Sequence, residues 1–244
     1  MILLIGDSIC GGFGQRDKKS FVHYAAEHLG ISIWDESASG MSTDDYLKYL
    51  HTGIPICPEQ APPLENLEKV DLVVLSLANV DGKMSFKQRN AWSILIPRRY
   101  RLEKIDPRPY YSRRRWKRVL EKLDNFLRHY SRFAAFATGN LEVNVSPQQS
   151  KHNIEKILNR FANKKVVLIS TSVTNAFYFP GAQSHYDATD NFLKGLISKR
   201  IRFFDMKTNI APDELLDDRF HLNEKGHKRL CAEFIDAIKE HLLK

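Results

Sequence analysis

The sequence has few cysteines, and their spacing suits neither a metal site nor a redox pair. Cys10, Cys57 and Cys231 are the only three among 244 residues, and no two of them form a C-x-x-C pair. An odd number of dispersed cysteines argues against a disulfide framework and favours a reducing compartment. The sequence therefore predicts a cytoplasmic protein without structural disulfides.

Long apolar stretches are also missing. No run approaches the roughly 20 apolar residues that a membrane-spanning helix needs. The chain begins MILLIGD, with no basic residue ahead of the apolar run, so the start does not resemble a signal peptide. We therefore expect no transmembrane segment.

The glycine-rich stretch GDSICGGFG, at residues 6–14, lacks both common phosphate-binding patterns. After Gly11 the next residue is glycine, where a P-loop has lysine, and Asp17 stands where G-x-G-x-x-G has its third glycine. The carboxylate of Asp7 would also repel a bound phosphate. The turn therefore suits the display of Ser8 as a nucleophile better than the cradling of a phosphate.

Strand-like and helix-like segments alternate along the chain. Apolar runs predict five strands, at residues 2–5, 31–34, 71–77, 165–170 and 201–206. Helical spacing of apolar residues predicts helices at 18–29, 115–130, 146–162 and 223–243, the third with Ser146 as its cap and Pro147 in its first turn. This alternation predicts a single α/β domain over residues 1–244, with three layers (α/β/α) around a five-stranded parallel sheet.

Polar residues follow the strands of this predicted sheet. Ser8 comes after the first strand, Gly40 after the second and Asn79 after the third. Ligands bind at the carboxyl ends of the strands in such sheets, so these residues are expected at one edge.

The partners for a serine nucleophile lie near the other end of the chain. Asp218 and His221 are three residues apart, just before the last predicted helix. A single helix-like turn puts the carboxylate beside the imidazole, whose other nitrogen can then face Ser8. Asp217 is an alternative acid with a less suitable spacing. His227 is expected to be a solvated helix residue.

Two motifs in this sequence resemble those of the SGNH (GDSL-type) hydrolases. The first is GDS after strand one, and the second is D-x-x-H-L-N-x-x-G-H at residues 218–227. The resemblance implies a flavodoxin-like fold, ester substrates and no metal or organic cofactor. It also implies that Ser8 is the nucleophile, His221 the base and Asp218 the acid that orients the base.

The same resemblance implies an oxyanion hole. The stretch DESASGMST matches the second block of the family, in which Gly40 contributes its N–H beside that of Ser8. The third block, G-x-N-D, differs here. In LSLANVDG, Asp81 takes the place of the final Asp, Val80 stands where the family has Asn, and Asn79 comes one position early. Either Asn79 is the side-chain donor or the hole has one donor fewer.

A basic segment supplies the candidates for substrate binding. Residues 97–118 hold ten Lys and Arg against two acids. When these are taken from the totals of 37 basic and 29 acidic residues, the rest of the chain has equal numbers of each sign. The segment is open to three explanations: a solvated basic face, recognition of an anionic substrate, or non-specific binding of nucleic acid or a membrane surface. Prolines predict an insertion at about 84–118 beside the site, which favours the substrate over nucleic acid.

With the family resemblance, this segment implies an acetylated, anionic carbohydrate or polysaccharide as substrate. The candidate substrate-binding residues are Asp7, Arg98, Arg99, Arg101, Tyr110 and Tyr111. The sequence leaves three activities open: ester hydrolysis, O-acetyl transfer to a polysaccharide, and polyanion binding by a catalytically degenerate protein.

Overall fold

A parallel β-sheet forms the centre of the protein. The structure is a computed structural model, and it describes residues 1–86, 108–172, 179–208 and 210–243. Five strands pair in the order β2-β1-β3-β6-β7, all parallel. They are β1 (Ile2–Gly6), β2 (Ile33–Asp35), β3 (Leu72–Ser76), β6 (Lys165–Ile169) and β7 (Ile201–Phe204). The predicted five-stranded parallel sheet is confirmed. From β1 the chain adds β2 on one side and β3 on the other, and ligands bind such sheets at this switch point between β1 and β3.

Helices cover both faces of the sheet in the described part of the chain. They are α1 (Phe21–Leu29), α2 (Thr43–Thr52), α3 (Ala78–Asp81), α4 (Arg115–Ala137), α5 (Pro147–Arg160), α6 (Ala182–Gly195) and α7 (Glu224–Leu243). Alternate residues of β1 enter two different cores, Ile2 and Leu4 on one face and Leu3 and Ile5 on the other. Helices α1 and α7 supply the first core, and α2, α5 and α6 the second. The predicted three layers are confirmed.

Helix boundaries follow local capping chemistry. Ser146 caps α5 by accepting from the N–H of Gln149, with Pro147 at the first helical position, as predicted. Helix α1 begins later than predicted because Ser20 is its N-cap, and it ends at Gly30, whose φ of 66° suits glycine. No helix in the described ranges combines the length and the hydropathy needed to cross a membrane.

Three helices were not predicted from the sequence: the single turn α3, and the longer α2 and α6. Their inward faces carry polar groups, so hydropathy does not outline them. Helix α6 buries His185, Thr189 and Asp190, and the Asp190 carboxylate accepts from the N–H of Thr171 at 2.8 Å. Polar side chains with specific partners replace the apolar stripe that the prediction relied on.

A small antiparallel pair of strands stands outside the main sheet. Strand β4 (Met84–Phe86) pairs with β5 (Leu141–Val143). In sequence the two strands lie on either side of α4, and the insertion at about 84–118 stays a prediction. Arg98, Arg99 and Arg101 lie outside the described residues.

The start of α7 is fixed against the turn at Pro212–Glu214. A Cβ on Gly226 would lie 2.5 Å from the backbone oxygen of Glu214, so only glycine allows this approach. Asn223 donates its N–H to the same oxygen at 2.9 Å. An isolated β-bridge joins Leu215 to Leu222. These contacts hold the base of the loop that carries Asp218 and His221.

Candidate active site

Ser8, His221 and Asp218 form a continuous chain of polar contacts at the carboxyl edge of the sheet. The Oγ of Ser8 lies 2.8 Å from Nε2 of His221. The Nδ1 of His221 lies 2.7 Å from Oδ2 of Asp218. Because an ionised carboxylate only accepts, Nδ1 carries the proton of the neutral ring and Nε2 is left to accept from the serine hydroxyl.

Asp218 is held in place by its own turn. Its Oδ1 accepts the N–H of Phe220 and the N–H of His221, both at 3.0 Å. The D-x-x-H spacing therefore forms a closed turn in which one carboxylate binds both the backbone and the ring. Asp217, the alternative acid, instead accepts the N–H of Tyr111 at 3.2 Å.

Two phenylalanines enclose the imidazole. The ring of Phe13 lies 4.5 Å from that of His221, centroid to centroid, and Phe220 meets it edge-on at 5.1 Å. These contacts fix the plane of the ring and limit its access to water. Sequence analysis missed both residues, although an aromatic residue inside a glycine-rich turn was the available signal for Phe13.

Ser8, Gly40 and Asn79 line a single cavity. Gly40 has a φ of 79°, in the left-handed region that favours glycine. Among the described residues, no acceptor is found for the N–H of Ser8 or of Gly40. These two donors and the Asn79 side chain are therefore brought to the same place as the serine hydroxyl.

The amide of Asn79 is oriented by its neighbours. Its Oδ1 accepts the N–H of Ser172 at 2.5 Å, and its backbone oxygen accepts the hydroxyl of Tyr186 at 2.6 Å. The Nδ2 atom is buried and makes no hydrogen bond of normal geometry within the described ranges, although the Asn79 amide is close enough to the Asp7 carboxyl to lower the pKa of that group. Asp81 has a structural position, since it accepts both the N–H and the hydroxyl of Thr43, at 2.8 and 2.7 Å.

Asp7 does not line the cavity, contrary to its prediction as a substrate-binding residue. Its side chain is fully buried beneath the serine turn, where Oδ1 accepts the N–H of Ile9 at 2.9 Å and Oδ2 has no partner among the described residues. Burial raises the pKa of this carboxyl to about 6. Asp7 therefore supports the turn from below and cannot touch a substrate without a rearrangement.

The cavity beside Ser8 is small, with a volume of about 260 Å³. Its walls are largely apolar and include Phe13, Val80, Pro109, Phe179 and Phe220. Tyr110 does not line the cavity, although its neighbour Pro109 does, and its hydroxyl donates to the backbone oxygen of Gly14. Tyr111 lines a separate cavity.

Two other titratable residues lie near the site without joining it. Cys10 is buried, and burial raises the pKa of its thiol, so it remains a packing residue as expected. His227 is fully buried and accepts the N–H of Phe21 at 3.2 Å, so its prediction as a solvated residue is wrong. Burial lowers its pKa to about 4.

Within the described ranges, no three His, Cys, Asp or Glu side chains cluster as a metal site would require.

The burial of Asp7 predicts a pH dependence of stability. Its pKa in the folded protein, about 6, lies above its ordinary value of 3.8. The neutral carboxyl therefore stabilises the fold at low pH, and this contribution is lost as the pH rises through 6. Asp7→Asn keeps the acceptor for Ile9 and cannot ionise. We expect its free energy of unfolding to exceed that of the wild type above pH 6, by up to about 3 kcal/mol.

Urea unfolding of both proteins across this pH range measures the difference. Asp81, whose pKa burial also raises to about 6, is present in both and cancels. A difference between the two proteins that does not change with pH would contradict the assignment.

Comparison with protein-family models gives no match, and neither does comparison with curated proteins. Solved structures do match over nearly the whole chain. A lipase/acylhydrolase from Enterococcus faecalis is 16% identical, with 98% of this chain and 95% of that chain covered and a TM-score of 0.57.

Two further solved structures agree. A lipolytic protein of the G-D-S-L family from Desulfitobacterium hafniense is 11% identical, with 96% of this chain and 97% of that one covered and a TM-score of 0.55. A catalytic mutant of an acetylxylan esterase from Geobacillus stearothermophilus is 14% identical, with coverage of 99% and 93% and a TM-score of 0.53. The strand order, the three layers and these similarities together show that the chain has the fold of the SGNH (GDSL-type) hydrolases.

Proposed function

We propose that the protein is a serine-dependent ester hydrolase. The observation that carries the proposal is the chain of contacts from Ser8 through His221 to Asp218, at 2.8 and 2.7 Å, beside a small cavity. The lipases and esterases that share the fold support it. In this proposal Ser8 is the nucleophile, His221 the general base and Asp218 the residue that orients the base.

The reaction proceeds through an acyl-enzyme. Nε2 of His221 takes the hydroxyl proton while Oγ of Ser8 attacks the acyl carbonyl carbon. The imidazolium, stabilised by Asp218, then gives that proton to the departing alcohol as the ester bond breaks. In the second half, His221 removes a proton from the attacking water, and the imidazolium returns that proton to Oγ of Ser8 as the acyl–oxygen bond breaks and the acid is released.

The negative charge that develops on the carbonyl oxygen is stabilised by three donors. We assign these to the N–H groups of Ser8 and Gly40 and to Nδ2 of Asn79. The assignment of Asn79 is supported by its place in the cavity wall beside Ser8 and Gly40, and by its Oδ1, which already accepts the N–H of Ser172 and so leaves Nδ2 as the donating end of the amide. A donor fixed in advance costs no reorganisation when the charge appears.

The dimensions of the cavity favour a short acyl group. A volume of about 260 Å³ lies below the roughly 300–1,000 Å³ typical of sites for drug-sized ligands. The apolar walls accept an acyl chain, and the volume excludes a long one, so acetyl and other short acyl groups fit the cavity.

We infer that the alcohol part is a carbohydrate with acidic groups. The half-exposed ring of Tyr110, which follows the cavity-lining Pro109, offers a flat surface for a sugar ring, and Lys83 in the cavity wall supplies positive charge. The acetylxylan esterase with the same fold is consistent with a sugar ester. The same acyl-enzyme could pass its acetyl group to a sugar hydroxyl, and an added sugar acceptor would reveal that transfer.

Replacement of the nucleophile tests the proposal. We expect Ser8→Ala to reduce hydrolysis of p-nitrophenyl acetate by at least about 10⁴-fold and to abolish the acetyl adduct in the intact mass, with the fold unchanged. Ser184→Ala, at an exposed serine on α6, is the matched control and should keep full activity. Equal turnover by Ser8→Ala and wild type would refute the proposal.

The two neighbouring acids provide a second test. Asp218→Asn should lower kcat by about 10⁴-fold, because an amide no longer fixes the tautomer of His221. Asp217→Asn, one residue away, changes a carboxylate that accepts the N–H of Tyr111 and does not touch His221, and it should change kcat by less than about threefold. A larger loss in Asp217→Asn would reverse the assignment of the two carboxylates.

Asn79 is tested by a change that keeps its shape. Asn79→Asp retains an oxygen for the N–H of Ser172 but replaces the Nδ2 donor with an acceptor. We expect kcat to fall by about 10²–10³-fold while KM changes little. If Asn79→Asp keeps the wild-type kcat and only Asn79→Ala loses activity together with thermal stability, Asn79 is a structural residue and the hole has two donors.

A further inference from the structure

Helix α4 packs against the protein through its polar face. Asn125, His129 and Arg132 are buried beneath the helix. The Nδ2 of Asn125 donates to the hydroxyl of Tyr111 at 2.6 Å, and Nη2 of Arg132 donates to the backbone oxygen of Met84 at 2.8 Å. The polar side of an amphipathic helix normally faces water, so the orientation of α4 is reversed.

The apolar side of α4 therefore faces outward. Eight large side chains at helical spacing form one stripe along the helix, and each is between 42% and 66% exposed. They are Trp116, Val119, Leu120, Leu123, Phe126, Leu127, Tyr130 and Phe133, named here the α4 stripe. Single exposed apolar residues are ordinary, but a continuous stripe marks an interaction surface.

Positive charge surrounds the first turns of the stripe. Six basic residues at this end are exposed, namely Arg113, Arg114, Arg115, Lys117, Arg118 and Lys122. Glu121 and Asp124 are the only acids in the helix. Glu121 accepts the N–H of Ser112, and Asp124 binds Arg108 and Arg128. The exposed charge that α4 itself carries beside the stripe is thus mainly positive.

A basic cavity opens at the edge of the stripe. It has a volume of about 520 Å³ and lies between α4 and the loop that carries His221. Arg118, Lys122 and Arg219 line it, together with Tyr111 and the carboxylate of Asp217. Three cations against one carboxylate favour an anion. On the helix, Arg118 and Lys122 are one turn apart and border the stripe.

We propose that the α4 stripe docks on the surface of an anionic phospholipid bilayer and that the basic cavity receives a phosphate headgroup. A helix with Trp, Phe and Leu on one side and Lys and Arg along the border lies in the plane of such an interface, with its apolar face among the acyl chains. The basic residues add attraction to anionic lipids. An anionic lipid surface can thus bury the apolar side chains of the stripe and neutralise the basic residues beside it.

Charge argues against a second copy of the chain as the occupant. In a parallel pair of α4 helices, the two basic ends would meet. In an antiparallel pair, each basic end would face residues 125–137 of the other copy, which contain no acid. Neither arrangement neutralises the exposed positive charge, whereas a layer of phosphate headgroups does.

The docking surface adjoins the cavity beside Ser8. Pro109, which precedes α4, lines that cavity, and the guanidinium of Arg132 lies 5.1 Å from the ring centroid of Phe179 in its wall. A bound protein would hold the cavity beside the bilayer. The docking does not depend on the proposed ester hydrolysis, and Ser8→Ala should bind vesicles as the wild type does.

Sedimentation of the full chain with vesicles tests the proposal. We expect the protein to pellet with vesicles of phosphatidylcholine mixed with phosphatidylglycerol, to pellet less with phosphatidylcholine alone, and to be released by salt. Leu123→Glu with Phe126→Glu should weaken binding at least about tenfold. The control, Ile54→Glu with Ile197→Glu, changes exposed apolar residues outside the stripe and should bind normally.

The basic cavity is tested separately. Arg118→Ala with Lys122→Ala should weaken binding to the mixed vesicles by roughly fivefold per residue and leave binding to phosphatidylcholine alone unchanged. Equal losses on both kinds of vesicle would refute the role given to the headgroup.

Three results would overturn the docking proposal. The first is failure of the wild type to bind the mixed vesicles. The second is a stable dimer that Leu123→Glu with Phe126→Glu converts to monomer, which would make a second copy the occupant. The third concerns a wild type that is monomeric and binds no vesicles. If Leu123→Glu with Phe126→Glu then has a lower melting temperature than the wild type, the stripe packs against other residues of this chain.

Discussion

The packing of α7 against the sheet and α1 is the contact on which the candidate site depends. Ser8 and His221 are 213 positions apart, and they meet only because α7 is seated there. Phe234 of α7 contributes to this packing: its ring lies edge-on to the rings of Phe21 and Phe204, at centroid distances of 5.4 and 5.1 Å. The close approach of Gly226 to the backbone of Glu214 then fixes the position of the loop that carries Asp218 and His221. The packing of the hydrophobic core thus determines the distance between Oγ of Ser8 and Nε2 of His221.

The sequence predicted those parts of the structure that arise from short-range patterns. Apolar runs identified the strands of the main sheet, and the order of strands and loops placed Ser8, Gly40 and Asn79 at one edge. The D-x-x-H spacing predicted the turn that joins Asp218 to His221. Each depends on residues close in sequence or on the connectivity of a parallel sheet, which periodicity reports well.

The features that sequence analysis missed depend on which side of an element faces inward. Helix α6 buries polar side chains, so its pattern did not stand out. Asp7 and His227 looked like accessible polar residues and are buried. For α4, periodicity predicted the helix, but a helical period does not tell which face is covered, and the covered face is the polar one. Arg98, Arg99 and Arg101 lie outside the described residues, so their predicted role stays a prediction.

The central claim is that Ser8 is a nucleophile activated by His221, and reaction with a fluorophosphonate tests it most directly. Such a reagent forms a stable adduct only with an activated serine, and it needs no knowledge of the natural ester. Intact mass and peptide mapping should find one adduct, on Ser8, in the wild type and none in His221→Ala. No adduct on the wild type, or an adduct on another residue, would contradict the account.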